Sequence, residues 1–486
     1  MPAYQLAQMI RDHAVSALEV LDAHLSQIAT HNSNLNAICT LDSEHARQRA
    51  FLADEALARG ENWGILHGVP ITIKDTLETT GLRTTAGYKH LKDYVPKEDA
   101  TVVARLRASG AIIMGKTNPA KLASDFQSTN DLFGRVNNPW NLNCTAGGSS
   151  GGTAAAVAAG LSPLDLGSDI AGSIRQPSHF CGVFGLKPTD RRISTMGHIP
   201  EVPGMIKCIR QMLTVGPLAR SIEDLRLCLQ LIAGADLRQP DIPPVPLDTP
   251  TTLSLQALRI AWTDEFPAFP VAEDIRLTMQ AVANSLVQTG VQIEPWVPPG
   301  FDFAAALRLY NRVVAYTLLY AQAVDLDTVQ EMIPVMYREW TQGDKELQSL
   351  YKVTGVLPTF LNPTMKGYFQ ALAERDRLIA QMEQALEQWD VWLCPVAMTP
   401  AFTHRPKGEA VEVDGKKVPY FLASGAYTMP FNLTGHPVVV IPIGQTKNGL
   451  PIGMQIIGKR WREIELLAIA EVLTQAIRGF QHPSGY

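Results

Sequence analysis

Between Gly64 and Gly216, short apolar β-type runs alternate with helix-like ones, and this alternation constrains the chain more than any other feature. Val69-Pro-Ile-Thr-Ile-Lys74 is followed by the helix-like stretch Thr101–Ser109 and then by Ala111-Ile-Ile-Met114. Such an order implies an α/β unit built on a largely buried sheet. Glycine gathers in the same segment, in Gly147-Gly-Ser-Ser-Gly-Gly152 and in Gly167-Ser-Asp-Ile-Ala-Gly-Ser173. Because glycine reaches backbone angles closed to other residues, these clusters mark backbone that turns tightly or approaches a ligand.

Upstream, residues 4–30 place Leu6, Ile10, Ala14, Leu18, Leu21, Leu25 and Ile28 at helical spacing, and Ala46–Ala58 continues that character. Residues 1–60 therefore read as N-terminal helices and 64–220 as the core. Downstream, Pro240, Pro243, Pro244, Pro246 and Pro250 mark an exposed connection. Residues 273–385, within a region spanning 250–385, read mostly as helices. Strand-like runs return across 386–486, at Val391-Trp-Leu-Cys394, Val438-Val-Val-Ile441 and Met454-Gln-Ile-Ile457, before a last helix from Ile464 to Ile477. Strands on both sides of a helical insertion favour one domain over residues 1–486.

Composition excludes several functions. Of 486 residues 46% are hydrophobic and the net charge is only −5, which excludes intrinsic disorder. Forty-two basic against 47 acidic residues argue against nucleic-acid binding by bulk charge. Cys39, Cys144, Cys181, Cys208, Cys228 and Cys394 lie far apart, with no C-x-x-C pair, and read as reduced thiols outside any disulfide framework or zinc site. The start of the chain lacks a signal-peptide pattern, and no apolar run approaches the roughly 18 residues a membrane span needs. The expectation is a cytoplasmic protein without a membrane partner; the composition allows a homodimer.

Three motifs compete for the chemistry. Gly110-Ala-Ile-Ile-Met-Gly-Lys-Thr117 fits the P-loop pattern, but its variable positions are themselves the apolar strand, and Thr117-Asn-Pro119 signals a turn where a helix should open. Gly147-Gly-Ser149-Ser-Gly151 fits the nucleophile-elbow pattern, but Asn137–Cys144 ahead of it is turn-rich, and nothing local recommends His198 or His436 as a base. The third is the whole stretch Thr145–Pro188, with its Gly/Ser block, Asp169-Ile-Ala-Gly-Ser-Ile-Arg-Gln-Pro177 and Phe180-Cys-Gly-Val-Phe-Gly-Leu-Lys-Pro188.

This stretch resembles the amidase signature family. The similarity extends to Gly68-Val-Pro-Ile-Thr-Ile-Lys-Asp75, Gly115-Lys-Thr-Asn118, Pro430-Phe-Asn-Leu-Thr-Gly-His-Pro437 and Gly449-Leu-Pro-Ile-Gly-Met-Gln455, in the expected order. The resemblance implies an α/β fold, a single amidase-signature domain with a mixed, twisted central sheet flanked by helices. It implies hydrolysis of a carboxylic amide through an acyl-serine, with no metal and no organic cofactor. It also implies a Ser–Ser–Lys triad: Lys74 as base, Ser149 in a cis peptide as relay, Ser173 as nucleophile. The backbone N–H groups of Ile170, Ala171, Gly172 and Ser173 are the implied oxyanion hole. Ala171 stands where the family usually has glycine; were a positive φ needed there, alanine would be disfavoured by about 1 kcal/mol.

The residue types suit this chemistry on their own. A serine hydroxyl is a weak nucleophile and needs a base, and neutral lysine serves when burial lowers its pKa. Lys74 ends the apolar run of Val69, Ile71 and Ile73, where desolvation favours the uncharged amine. The plainer role for Lys74 is pairing with Asp75. Asp169 and Arg175 read as structural partners holding the loop.

The partner expected is a small-molecule amide. Its selection is expected to fall to residues 300–385, through Phe301, Phe303, Leu309, Tyr310, Tyr316, Tyr320, Met336 and Tyr337, and to loops around Phe126 and Trp140. A stand-alone amidase is the main expectation. The rivals are the glutaminase (the A component) of a tRNA-dependent amidotransferase, which works only with partner subunits, and a catalytically silent binding subunit. Leu122-Ala-Ser-Asp-Phe-Gln-Ser-Thr-Asn130 departs from the Met-Gly-Ser type segment expected of that glutaminase, and retention of Lys74, Ser149 and Ser173 speaks against silence.

Overall fold

The computed structural model describes residues 1–199, 201, 203, 207–249, 253–267, 269–320, 334–335, 337–339, 341–354, 364–477 and 479–486. Pro250 and Met336 lie outside the described residues, as does the side chain of Tyr320.

The N-terminal periodicity resolves into two helices, α1 (Ala3–Arg11) and α2 (Ala17–Leu35). The break falls where Ser16 and Glu19 form a reciprocal capping box, which satisfies donors that a continuing helix would have used. Helix α3 (Ser43–Ala58) follows, burying Ala46, Ala50, Ala53 and Ala56. A three-stranded sheet holds β1 (Ile38–Leu41), β2 (Pro70–Lys74) and β3 (Ile112–Thr117) in the order β1-β3-β2. Strands β2 and β3 run parallel, joined through α4 (Thr101–Ala108). Strand β3 continues through Gly115, Lys116 and Thr117, so the P-loop-like letters occupy a buried strand and form no phosphate cradle.

The larger sheet holds β4 (Leu164–Asp169), β5 (Phe184–Lys187), β6 (Thr214–Ala219), β7 (Arg259–Trp262), β8 (Gln292–Pro295), β9 (Val391–Pro395), β10 (Val438–Gln445) and β11 (Pro451–Ile457). Its order is β8-β7-β9-β11-β10-β5-β6-β4. Strand β7 pairs parallel with β8 and β9, and every other pairing is antiparallel, so the sheet is mixed. Strand β8 interrupts the mostly helical stretch after residue 273: Gln292–Pro295 is an edge strand, too short and too exposed for its pattern to show. Helix α5 (Gly151–Ala158) begins at the end of the first glycine-rich segment and α6 (Arg175–Cys181) follows the second, and α6 packs on β10 and β11. Helices α7 (Ile222–Ile232), α8 (Glu273–Gln288), α9 (Phe303–Tyr320), α10 (Lys345–Thr354) and α11 (Met365–Leu386) are followed by α12 (Tyr420–Gly425), α13 (Met429–Thr434) and α14 (Glu463–Ala476).

Nearly all of β2, β4, β5, β6, β9 and β11 is buried, and helices cover the sheet. Close approach explains one glycine: a Cβ on Gly152 would lie 2.4 Å from the Asn118 carbonyl oxygen. No described helix is long and apolar enough to cross a membrane.

Candidate active site

Strand β2 delivers Lys74 to the interior as the last of five buried residues. Its Nζ lies 2.8 Å from Ser149 Oγ, 2.9 Å from Ser150 Oγ and 2.9 Å from Ser168 Oγ. The side chain is fully buried, and burial lowers its pKa to about 7 against the opposing pull of Asp169 and Asp165. Among the described residues Lys74 makes no ion pair: the carboxylate of Asp75 accepts from Thr85 N–H and Oγ–H instead. The pairing of Lys74 with its sequence neighbour is therefore corrected. Strand β2 ends at Lys74, and Asp75 lies in the turn that follows, where Thr85 takes its carboxylate.

The Gly148–Ser149 peptide bond is cis. The Ser149 carbonyl accepts from Ala120 N–H and Ser128 Oγ–H, and Gly148 N–H donates to Gln176 Oε1 at 3.0 Å, tying the Gly/Ser block to helix α6. Residues 141–145 ahead of the block are extended, paired with Asn137–Asn138 and bridged to Thr403 through Cys144, so a strand does precede Ser149 although it is separate from the large sheet. Neither His198 nor His436 hydrogen-bonds to Lys74, Ser149 or Ser173. His436 Nδ1 contacts Thr434, and His198 is buried on the loop after β5.

Ser173 lies on the turn between β4 and α6 and is 4% exposed. Its hydroxyl has no hydrogen-bond partner among the described residues, whereas the loop around it is tightly tied. Asp169 accepts from Gly172 N–H (2.8 Å) and Ile174 N–H (3.1 Å). Arg175, fully buried, pairs with both Asp169 oxygens (3.0 and 2.9 Å) and reaches Thr428 O, Gln455 and Asn432. That pair holds the Asp169 carboxyl well below the usual carboxylate range despite burial.

Of the four implied backbone donors, the structure leaves three open. Gly172 N–H is taken by Asp169, while the N–H groups of Ile170, Ala171 and Ser173 bond to no described residue. Ala171 is absent from the positive-φ residues, so the alanine carries no backbone strain. Gly172 does have φ +122°, and a Cβ there would lie 2.4 Å from Thr428 Oγ1. Ile170 and Ala171 are partly exposed, so the loop opens to solvent.

Most aromatic residues named for substrate selection belong to the core. Phe303 stacks on Phe266 at 4.1 Å, Phe301 packs on Phe303, and Trp140 donates to the Cys181 carbonyl. Tyr316 packs edge-on to Tyr368, and Tyr337 is exposed. Helical aromatic spacing thus reports burial here. Phe126 approaches Gly425, near the oxyanion loop, and Tyr310 donates to the Ile170 carbonyl. Sequence reasoning missed Ser150 and Ser168. The second left a signal: on a buried strand, Ser168 alternates with Gly167 and Asp169 and so turns a hydroxyl to the opposite face.

Among the described residues no group of His, Cys, Asp and Glu could hold a metal ion. All six cysteines are free thiols.

Comparison with known proteins is consistent across the chain. The amidase family model matches residues 19–467. The A component of the glutamyl-tRNA(Gln) amidotransferase of Geobacillus thermodenitrificans (strain NG80-2) is 34% identical over 97% of this chain and 96% of its own. Among solved structures, a chain from a vestigial complex bearing on the origins of an s-triazine catabolic enzyme superposes with TM-score 0.80. It is 29% identical and covers 100% of both chains. A 6-aminohexanoate cyclic dimer hydrolase in complex with substrate superposes with TM-score 0.79, at 25% identity, covering 100% of this chain and 98% of its own.

Proposed function

The chain belongs to the amidase family, an enzyme family acting on C–N amide bonds, and we propose that it cleaves a carboxylic amide through an acyl-Ser173 intermediate. One observation carries this reading: a fully buried lysine whose Nζ meets three serine hydroxyls and no carboxylate. A neutral amine has two N–H donors and one lone pair, and hydroxyls can serve all three. In that state Lys74 draws the proton of Ser149, Ser149 draws that of Ser173, and Ser173 Oγ attacks the carbonyl carbon. The oxyanion forms beside the open N–H groups of the 170–173 loop, where donors already in place stabilise developing charge. Collapse breaks the C–N bond as Ser149 returns the proton to the leaving nitrogen, and water then releases the acid by the same route. Residues 64–220 supply all these groups and act as the catalytic core.

The substrate divides into two readings. The likeness to the amidotransferase A component over nearly the whole chain favours a glutaminase that works with partner subunits. The alternative is a stand-alone amidase for a small-molecule amide, supported by the departure at Leu122–Asn130. Both share the chemistry at Ser173. A fluorophosphonate should add mass to the peptide carrying Ser173 and to no other, and Ser173→Ala should abolish labelling; a label on Ser149 would overturn the reading. The purified chain is then assayed alone on glutamine and on primary amides, anilides and fatty amides. Turnover without any partner supports the stand-alone reading. Copurifying subunits required for glutamine hydrolysis support the other.

A further inference from the structure

In a trans peptide the C=O and the following N–H lie in one plane and point in opposite directions, so a carbonyl held on one side aims its N–H to the other. Among the described residues the only cis bond is Gly148–Ser149, so the rule applies throughout the 169–173 turn. The Asp169 carbonyl accepts from Asn432 Nδ2 and Thr214 Oγ1, both at 3.4 Å. The Ala171 carbonyl accepts from Thr428 Oγ1 at 2.5 Å, and its plane is held again at the far end, where Gly172 N–H meets Asp169 Oδ1 at 2.8 Å. The Gly172 carbonyl accepts from Gln176 N–H at 2.7 Å. The Ile170 carbonyl is different. Its sole partner among the described residues is Tyr310 Oη, 3.0 Å away, on helix α9.

We infer that Tyr310 is a positioning residue for the oxyanion hole, acting through the Ile170–Ala171 peptide plane to aim Ala171 N–H at the developing oxyanion. This rests on the acyl-Ser173 reading. Gly172 N–H, committed to Asp169, takes no part, so Ala171, with Ser173 and Ile170, supplies the donors. The Ile170–Ala171 plane is the one whose orientation depends on a single side-chain hydroxyl, and that hydroxyl comes from an element distant in sequence. Tyr310 is 4% exposed and otherwise packed in the core, so removing its oxygen leaves the ring in place.

The test is the rate of phosphonylation by a fluorophosphonate, which needs no knowledge of the substrate and places charge in the same hole. Wild type, Tyr310→Phe, Thr428→Val and Ser173→Ala are compared at several pH values, with thermal midpoints measured alongside. Tyr310→Phe should slow labelling about 10-fold or more, approaching the roughly 100-fold or greater loss that follows removal of an oxyanion donor. The pH midpoint of the labelling rate should not move, because Lys74 is untouched. Thr428→Val should stay within about threefold of wild type, since Asp169 still holds that plane. Labelling of Tyr310→Phe at the wild-type rate, with Ser173→Ala unlabelled, overturns the role of Tyr310 alone. A loss accompanied by a lower thermal midpoint and a displaced pH midpoint also overturns it, in favour of a general structural role. Labelling of Ser173→Ala overturns the acyl-serine reading instead.

Discussion

Lys74 and Lys116 stand on neighbouring parallel strands, with Lys74 paired to Thr117 and Ile73 to Lys116, and both are fully buried. Burial lowers both pKa values, to about 7 for Lys74 and about 8 for Lys116. Their surroundings nevertheless assign them opposite work. Lys116 Nζ donates to the Leu77 carbonyl at 2.5 Å, Thr79 Oγ1 at 2.6 Å and Thr84 Oγ1 at 3.2 Å. Thr79 and Thr84 give their own hydrogens to the Leu77 and Leu82 carbonyls, so all three partners only accept. Three acceptors require three N–H groups, which only the ammonium has. Around Lys74 the hydroxyl hydrogens of Ser149 and Ser168 have no other acceptor among the described residues, so a lone pair on Nζ can be satisfied. Desolvation alone does not make a base; the direction in which neighbouring hydroxyls donate decides it.

The largest expected effect separates the two lysines in catalysis. Lys74→Ala should lower amide kcat/KM by about 1000-fold, in the middle of the range for lost general acid–base catalysis. Matched esters should lose at least about tenfold less, because an alkoxide leaves without the protonation that an amide nitrogen needs. Equal losses on both substrates would confine Lys74 to activating Ser173 and remove the relay to the leaving group.

Next in size is the pH profile. Since Lys74 must be neutral to accept a proton, kcat/KM should fall about tenfold per pH unit below an acid limb near pH 7. An acid limb that stays near pH 7 in a Lys74→Ala variant with measurable activity would assign the titration to another group.

Lys116→Met should act on stability. It takes one donor from the Leu77 carbonyl, which keeps Thr79 Oγ–H, leaves Thr79 Oγ1 and Thr84 Oγ1 without the ammonium they accept from, and takes a cation from the vicinity of Asp75, whose Oδ1 has no partner. A loss of about 2 kcal/mol in urea unfolding is expected, with kcat/KM changed less than about threefold and the acid limb unmoved. An acid limb displaced by this substitution would mean that the two lysines titrate as one system.

A further effect concerns how stability varies with pH. Folded Lys74 holds its proton more weakly, near pH 7, than an unfolded lysine, near about 10.4. Between those values the unfolded chain binds more protons, so this group makes stability rise with pH across the window, and the contribution is least favourable below about pH 7. The thermal midpoint of wild type relative to Lys74→Met should therefore improve as pH is raised from about 7 to about 10. A constant difference would show that Lys74 remains charged in the folded protein.

Much of this is legible along the chain. The apolar run into Lys74, the Gly/Ser block and the 169–177 segment point to the site because burial, tight turns and close backbone approach each demand particular residue types. The strands β9, β10 and β11 are equally visible, being continuous apolar runs that a buried sheet requires. The edge strand β8 and the break before α2 are not: one is half solvated, and the other depends on a cap that competes with an otherwise regular periodicity. The aromatic residues of α9 are ambiguous along the chain for a related reason, since core and pocket draw on the same side chains, and of these Tyr310 reaches the Ile170 carbonyl.

What the sequence determined by itself is the inventory: which residues are buried, where the backbone must turn, and which lysine and serines fall in the segments that carry the resemblance. Only the tertiary structure decided what surrounds them. Ser168 reaches Lys74 from the larger sheet and Ser150 from the start of α5, Asp169 removes Gly172 from the set of open donors, and Tyr310 comes from 140 residues away to hold the Ile170 carbonyl. The physical reason is directional. Apolar burial depends on residue type and leaves a periodic trace along the chain, whereas a hydrogen bond depends on the placement of one atom relative to another, and that placement is set where distant segments meet.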